Sequence, residues 1–336
     1  MSRKYWFWIL VFFIMIVGVP FTSSSSADKT ITLKLAHDAP STHAWQLGFL
    51  KFAESVSKKT NGQVNIQIYP SAQLGVGREY MELCQKGVVD FGPVTAGVAG
   101  SFIPAMNFFN LPFMFKDRAS VKEVYTGPLG RKLLDTAEKH KLKGLSLNTY
   151  CFRSPLNSKR PIKTVADFKG LKMRLMEVPI HMETFKALGS SPVAIPVSEL
   201  YMALKMGAAD GAENNFSMLS LLKLNEICKY YSTLPVFLSA SVMTMSLKTW
   251  NEKLDASQKK AIMESVPVLD ETINYEYDRL EEVHRKVFIQ EGVNIYEGPF
   301  DMKSFRAAVK PVYDKWIPML PPEAQEVVTE LQKKWD

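Results

Sequence analysis

Cysteine is scarce in this sequence: there are 3 among 336 residues, and no two of them stand at Cys-x-x-Cys spacing. A disulfide-stapled mini-domain and a zinc ribbon are therefore excluded. The five histidines form neither a His-x-x-x-His nor a His-x-His pair, so we predict no metal site. A Gly-x-Ser-x-Gly motif is also absent, and Gly75-Val76-Gly77 lacks the third glycine of a dinucleotide-binding fingerprint. The sequence thus predicts no catalytic residue and no cofactor.

Long runs of one charge are missing as well. The chain has 41 Lys and Arg residues against 34 Asp and Glu residues, a formal net charge of +7, and the basic residues are dispersed. Nucleic-acid backbones are bound by clustered basic residues, so we expect no nucleic-acid partner. A mildly basic surface suits an anionic small molecule. With 46% hydrophobic residues, the chain can fill one large or two medium-sized domain cores.

The N-terminal segment has the features of an export signal. Arg3 and Lys4 precede an uncharged apolar run at residues 5–19, and a serine tract follows that ends at Ala27. The run of 15 residues is shorter than the about 20 that a membrane-spanning helix needs. We predict a signal peptide over residues 1–27 and a periplasmic protein; the alternative is a retained N-terminal anchor. In such an oxidising compartment the three cysteines either stay reduced in the core or include one disulfide.

Alternating strand and helix patterns begin at residue 31. Residues 31–37 and 64–68 alternate apolar and polar side chains as half-buried strands do, and residues 45–56 between them carry apolar side chains at helical spacing. A further helix is predicted at residues 78–86 and a third strand at residues 88–93. The order strand, helix, strand, helix, strand indicates a parallel sheet with right-handed crossovers.

A second α/β unit follows a helical pattern at residues 119–140. Strand, helix, strand, helix and strand patterns then occur in turn at residues 172–176, 180–188, 192–195, 198–206 and 208–214. A long helical pattern at residues 255–291 is long enough to bridge two units. The sequence therefore predicts an α/β protein with two units of similar build.

Two arginines are candidate ligand-binding residues. Arg174 lies in an apolar strand, where a guanidinium is costly to bury unless it meets an anion. Its planar donors can hold a carboxylate through two parallel bonds. On this residue alone, an internal ion pair remains the alternative. Arg153 follows a strand where the chain passes between the two units, and its alternative is an ordinary surface arginine.

The segment Asp210-Gly211-Ala212-Glu213-Asn214 is a further candidate. It ends a predicted strand, and open α/β sheets place ligands at the carboxyl ends of their strands. A side-chain amide there can donate to a carboxylate and accept from a hydroxyl. Considered alone, the segment is equally well a turn.

Several stretches together resemble the solute-binding proteins of tripartite ATP-independent periplasmic (TRAP) transporters, of the DctP type. The resemblance extends over nearly the whole mature chain, and its specificity comes from the order and spacing of the stretches. They are Lys51-Phe52-Ala53-Glu54 with Lys59-Thr60-Asn61-Gly62, Tyr69-Pro70-Ser71-Ala72-Gln73-Leu74-Gly75, Leu111-Pro112-Phe113-Met114-Phe115, Asp167-Phe168-Lys169-Gly170-Leu171-Lys172-Met173-Arg174, Ala187-Leu188-Gly189 through Pro196, Ser198-Glu199-Leu200-Tyr201 and Asp210-Gly211-Ala212-Glu213-Asn214.

The resemblance implies a two-domain periplasmic-binding-protein-like α/β fold, with a ligand cleft at the hinge and a long helix that spans both domains. It places domain I at residues 28–150 and 240–279, domain II at residues 151–239 and 280–307, and C-terminal helices at residues 308–336. It also implies that Arg174 forms the main bidentate pair with an organic acid, joined by Arg153 and Asn214. Glu213 belongs to the same motif and is counted among the ligand-binding candidates.

Departures from the family pattern narrow the expected ligand. Asn215 replaces the usual proline, Val197 replaces a frequent aromatic residue, and Thr95 stands where relatives that bind sialic acid have charged contacts. We therefore expect a smaller acid, such as a C4-dicarboxylate. Two more candidates are Asp38, which could accept a ligand hydroxyl, and Tyr201, which could face the cleft. Trp45 is a core residue or a further cleft residue.

The function implied by the resemblance is non-enzymatic. The protein would bind a small carboxylate outside the cytoplasmic membrane and deliver it, as a monomer, to the membrane permease of a TRAP transporter for uptake driven by an ion gradient. Two alternatives stay open: a ligand-loaded co-sensor for a membrane receptor, and a secreted α/β enzyme. The enzyme would need a positioned base and nucleophile, which the histidines do not supply in any motif.

Overall fold

The computed structural model describes residues 30–149 and 151–335. The predicted signal peptide, residues 1–27, lies outside the described residues. Among the residues described, no helix combines the length and the apolar character needed to cross a membrane.

The described residues form twelve strands and thirteen α-helices. The strands are β1 (Ile31–Ala36), β2 (Val64–Tyr69), β3 (Val94–Thr95), β4 (Leu142–Asn148), β5 (Phe152–Asn157), β6 (Lys172–Leu175), β7 (Ser191–Ala194), β8 (Gly211–Asn214), β9 (Tyr230–Ser232), β10 (Phe237–Leu238), β11 (Ser241–Ser246) and β12 (Asn294–Tyr296). The helices are α1 (Ala44–Lys59), α2 (Gly77–Lys86), α3 (Ala96–Ala99), α4 (Arg118–Thr126), α5 (Pro128–Asp135), α6 (Pro179–Ala187), α7 (Leu200–Lys205), α8 (Phe216–Leu221), α9 (Leu247–Glu252), α10 (Ala256–Gln290), α11 (Met302–Ala308), α12 (Lys310–Trp316) and α13 (Pro322–Gln332).

The first unit is built on β1, β2, β3, β4 and β11. Strands β1 and β2 are parallel, with Ile31 opposite Val64, whereas β11 runs antiparallel to both β3 and β4. Phe91 forms bridges to Leu35 and to Met245 and so joins the two groups of strands. The sheet of the first unit is therefore mixed, and the parallel arrangement expected from the sequence holds for β1 and β2.

The strand predicted at residues 88–93 is wrong. Within the described chain, this stretch forms isolated bridges at Phe91 and backbone hydrogen bonds at Asp90 and Gly92, but no continuous strand. The strand that follows is the two-residue β3. Two side chains explain the interruption. The carboxylate of Asp90 accepts the Lys34 N–H at 2.8 Å, which replaces a backbone partner. Pro93 has no N–H to donate to a neighbouring strand.

The helical pattern at residues 119–140 is not one helix. It forms α4, α5 and a 3₁₀ segment at Thr136–His140. The interruption falls at Gly127, which is extended (φ −94°, ψ 178°), and at Pro128, which opens α5. Proline lacks the N–H that a continuing helix would need but suits the first turn of a new one.

The second unit is a mixed sheet in the order β12-β9-β5-β8-β6-β7, with β10 beside β5. Strand β6 is parallel to β7 and β8, and β5 is antiparallel to β8 and β9. The strands expected at residues 172–176 and 208–214 are present as β6 and β8. This order makes β5, β8 and β6 direct neighbours, so residues of these three strands can meet at one edge of the sheet.

Helix α10 connects the two units over 35 residues. Its first half packs Ile262, Leu269 and Ile273 against α1 and the first sheet, and its last part packs Phe288 into the core beneath the second sheet. Helices α11 to α13 then return across both units, with α12 on α6 and α13 on α5. The two-domain α/β class is confirmed, and the exact domain boundaries stay predictions.

The strand crossings between the two units are joined by hydrogen bonds. The chain passes from β4 to β5 after Thr149, which has φ +72°, and returns between β10 and β11 just before Ser241. The Thr149 and Ser241 hydroxyls lie 2.8 Å apart. Next to them, Asn148 Nδ2 donates to Asp270 Oδ1 of α10 at 3.4 Å. The crossings and the long helix thus form one polar hinge.

Asp270 should make the stability of the fold depend on pH. Burial raises its pKa from 3.8 to about 7, against the hydrogen bonds from Ser146 and Asn148. The folded protein therefore retains a proton that the unfolded chain loses, and this contribution to stability disappears as the pH rises from about 4 to 7. We expect Asp270→Asn to match the wild type near pH 4 and to be more stable by about 4 kcal/mol at pH 8.

Urea unfolding at both pH values checks this expectation. Glu282→Gln is the matched control, because Glu282 is an exposed carboxylate on the same helix, about three turns beyond Asp270. A stability difference for Asp270→Asn that is the same at both pH values would contradict the role of Asp270.

Candidate functional site

The site residues come from three neighbouring strands of the second sheet. Arg153 is near the start of β5, Glu213 and Asn214 end β8, and Arg174 is in β6. In the strand register, Ser154 lies opposite Asn214 and Arg174 opposite Ala212. Since β5 is antiparallel to the other two strands, its start and their carboxyl ends meet at one edge of the sheet. The structure therefore brings the two arginines and the Glu213-Asn214 pair together.

Arg153 is held by a buried ion pair with Glu213. Its Nε donates to Oε2 at 2.6 Å and one terminal nitrogen donates to Oε1 at 2.8 Å, and the same nitrogen is 3.2 Å from the Glu213 carbonyl oxygen. The two residues are 7% and 1% exposed. The surface-arginine alternative for Arg153 is thus wrong. Glu213 serves as the anchor of Arg153, a role that the sequence did not indicate.

Arg174 is buried, but few groups of the described protein bind its guanidinium. It is 6% exposed, and its Nε donates to the carbonyl oxygen of Ile195 at 2.7 Å. Among the described residues, its two terminal nitrogens have no hydrogen-bond partner, and no carboxylate forms an ion pair with it. Burial is the main cause that lowers the pKa of this guanidinium. Arg174 therefore presents a buried positive charge and two terminal donor groups that no other described residue uses.

The side chains of Asn214 and Asn215 make different hydrogen bonds at the end of β8. The Asn214 side chain is half-buried, and its oxygen accepts the Asn215 N–H at 3.0 Å, which leaves the amide nitrogen for other partners. The Asn215 side chain caps α8 by accepting the Met218 N–H at 2.9 Å. The departure from proline at Asn215 thus supplies a helix cap and keeps the Asn214 amide in place.

Two further candidates, Asp38 and Thr95, belong to the first unit, and we refer to them as the far rim. Asp38 follows β1 and is exposed, and its Oδ2 accepts the Gly77 N–H at 3.0 Å where α2 begins. Thr95 ends β3 and is also exposed. The two units are in close contact just beyond Thr95. A Cβ atom added at Gly97 would lie only 3.4 Å from the Val178 side chain of the second unit.

Tyr201 and Trp45 lie outside this group. Tyr201 lies on α7, and its hydroxyl donates to Glu226 of the 3₁₀ turn Leu224–Glu226 at 2.8 Å and not to a residue of the arginine group. Trp45 is 4% exposed and packs on Phe49 with ring centroids 6.0 Å apart. Of the two alternatives for Trp45, the core position is the one observed.

Sequence reasoning missed the residues that hold the long helix beneath the site. The Tyr277 hydroxyl of α10 lies 3.1 Å from Nε2 of His43, which caps α1. Farther along α10, Glu281 accepts the N–H groups of Phe216 and Ser217 at 3.0 and 2.9 Å. Burial lowers the pKa of His43 to about 4 and raises that of Glu281. A helical pattern alone does not indicate which polar positions of α10 face inward.

The arrangement has the chemistry of an anion-binding cleft. The Arg153 and Glu213 charges compensate each other, and Arg174 adds a buried positive charge that a carboxylate would neutralise. Among the described residues, no group of His, Cys, Asp and Glu side chains is arranged to hold a metal ion. The three cysteines are free and buried, and burial raises the pKa of the Cys151 and Cys228 thiols to about 12.

Comparisons with known proteins agree with this geometry. A family model described as "bacterial extracellular solute-binding protein, family 7", DctP, matches residues 35–318. The uncharacterised protein YiiZ of Salmonella typhimurium is 33% identical over 272 residues, which are 78% of this chain and 80% of YiiZ. The sialic acid-binding periplasmic protein SiaP of Vibrio cholerae is 26% identical over 304 residues, 90% of this chain and 94% of SiaP.

Solved structures of TRAP periplasmic solute-binding proteins share the fold. One from Ochrobactrum anthropi superposes with a TM-score of 0.87 at 28% identity, covering 91% of this chain and 96% of its own. One from Chromohalobacter salexigens with bound D-glucuronate has a TM-score of 0.82 at 26% identity, covering 90% and 99%. One from Polaromonas bound to D-erythronate has a TM-score of 0.79 at 29% identity, covering 90% and 98%.

Proposed function

Because the chain belongs to family 7 of the bacterial extracellular solute-binding proteins, we propose that it captures an organic acid in the periplasm and delivers it to the membrane permease of a TRAP transporter. Members of this family are transport proteins that bind solutes. In this proposal the protein acts as a monomer, and an ion gradient at the permease drives uptake.

Arg174 is the observation that carries the proposal. Neither terminal nitrogen of this guanidinium has a partner in the described part of the chain, and burying it would be costly unless an anion binds there. A ligand carboxylate fits its planar donors with two parallel bonds. The Asn214 amide lies on the neighbouring strand, where it would donate a further bond. Arg153, fixed by Glu213, would strengthen the positive potential around the carboxylate.

The far rim favours a hydroxylated acid over a simple dicarboxylate. Asp38 would accept a hydrogen bond from a ligand hydroxyl but would repel a second carboxylate. The Thr95 hydroxyl can donate and accept. Solved relatives that hold D-glucuronate and D-erythronate support this choice, because both ligands combine one carboxylate with several hydroxyls. A C4-dicarboxylate remains the competing ligand class.

Closure of the cleft would couple binding to delivery. With the two units in close contact at Gly97 and Val178, a ligand between the units is removed from water, which strengthens its charge-assisted bonds. The ligand would therefore stabilise the closed form, and the permease would recognise that form.

A thermal-shift experiment on the chain from residue 28 tests the proposal. The panel holds D-glucuronate, D-erythronate, L-malate, succinate and sialic acid. A ligand at 100 times its dissociation constant should stabilise the fold by about 2.7 kcal/mol, which raises the thermal midpoint by several degrees. We expect the largest shift from a hydroxylated acid. If no acid raises the midpoint and mass spectrometry finds no acid bound to the purified protein, the proposal is refuted.

A further inference from the structure

Residues 111–115, Leu-Pro-Phe-Met-Phe, form a buried segment between the 3₁₀ turn Pro104–Asn110 and α4. Its central residue, Phe113, is 0% exposed and has φ +52°. A positive φ is rare for a bulky side chain and persists where the surroundings hold the backbone in place. The segment does not take part in the proposed binding of an acid, so its contacts must explain why Phe113 keeps a positive φ.

Three consecutive carbonyl groups of the segment accept hydrogen bonds from the C-terminal helices. The Tyr313 hydroxyl donates to Pro112 O at 2.7 Å, and Trp335 Nε1 donates to Met114 O at 3.2 Å. Between them, Arg306 Nε donates to Phe113 O at 3.3 Å. The donors come from α12, from the residues after α13 and from α11. The C-terminal part of the chain therefore clamps this segment.

On its other side the segment leads to the site. The Phe113 N–H donates to Val236 O at 2.9 Å, and the Val236 N–H donates to Arg153 O at 3.1 Å. Phe237, the next residue, lies directly opposite Arg153 in the pairing of β10 with β5. Two backbone hydrogen bonds thus connect the clamped segment to the arginine, across the boundary between the two units.

We propose that residues 111–115 are a positioning element for Arg153, and that Tyr313, Arg306 and Trp335 hold this element in place. The C-terminal helices would then control ligand affinity although they do not line the cleft. This inference rests on the proposed function, since it assumes that Arg153 takes part in binding an acid. Tyr313, Arg306 and Trp335 are positioning residues in this scheme and do not touch the ligand.

Variants that remove two of the hydrogen-bond donors test the proposal. Tyr313→Phe with Trp335→Phe keeps an aromatic ring at both positions and deletes two of the three bonds, and a Trp→Phe change elsewhere controls for the smaller ring. Trp316→Phe is the matched control, because Trp316 Nε1 donates at 2.8 Å to Glu183 on α6 of the second unit and not to the segment. Calorimetry uses the acid that binds the wild type best from the panel of D-glucuronate, D-erythronate, L-malate, succinate and sialic acid.

We expect the double variant to bind that acid about tenfold more weakly, because small displacements of a binding group cost much affinity. The control should bind like the wild type. Hydrogen exchange at the Phe113 and Val236 amides should become faster in the double variant alone. Unchanged affinity, or an equal loss in Trp316→Phe, would overturn the inference while leaving the proposed function intact. Failure of the wild type to bind any acid would overturn the proposed function and the inference with it.

Discussion

Arg174→Ala is expected to weaken binding of the cognate acid by roughly 2 to 5 kcal/mol, the usual result of removing one partner of a buried charge pair. The loss is large because the variant leaves the ligand carboxylate desolvated without its main donors. Arg153 cannot compensate, since Nε and one terminal nitrogen already bind Glu213. Isothermal titration calorimetry with the best acid of the panel measures the effect.

Arg174→Lys separates charge from geometry. Lysine keeps the positive charge but cannot supply two parallel bonds, so we expect it to bind nearly as poorly as the alanine variant. Arg160→Ala is the matched control, because this arginine binds backbone carbonyls of residues 167 and 169 away from the cleft. Wild-type affinity in Arg174→Lys would show that charge alone is recognised, and wild-type affinity in Arg174→Ala would remove this residue from the site.

Glu213→Gln should destabilise the folded protein by about 3 to 5 kcal/mol, because it leaves the buried Arg153 guanidinium without a counter-charge. Ligand affinity should fall as well, since Arg153 would lose the partner that orients it. Urea unfolding measures the first effect, and calorimetry under conditions where the variant is folded measures the second.

The double variant Arg153→Met with Glu213→Leu separates two causes of instability. One is the unpaired buried charge of Arg153, and the other is the loss of the ion pair itself. Replacing both members of a buried ion pair by apolar residues is often neutral or stabilising. We therefore expect the double variant to recover most of the stability of the wild type but not its affinity. If Glu213→Gln unfolds at wild-type urea concentrations, the ion pair contributes little and Glu213 is not the anchor of Arg153.

The sequence indicated which candidate residues are buried better than it indicated their partners. Arg174 stood out because a charged residue inside an apolar strand needs a reason, and the structure buries it as expected. The ion pair between Arg153 and Glu213 was not visible, because it depends on β5 lying beside β8 at a particular register. Both residues were ligand candidates in the sequence, yet the distance between them appears only after the strands are paired.

The break between α4 and α5 has a local cause at Gly127 and Pro128, whereas other failures depend on tertiary contacts. Residues 88–93 have the composition of a strand, but the side chain of Asp90 takes the place of a backbone partner of Lys34. Asp270 looks like any polar residue of a long helix until β4 covers it and burial raises its pKa to about 7. Local patterns carry no information about which polar side chain the fold will enclose.

The fixed side chain of Arg153 has a consequence for the thermodynamics of binding. A free arginine loses up to about 2 kcal/mol of rotamer entropy when it becomes ordered. Arg153 is already ordered by Glu213, and Arg174 is partly ordered by the carbonyl of Ile195, before any ligand arrives. The entropic cost is therefore met during folding, so a small acid with few contacts can still be bound tightly.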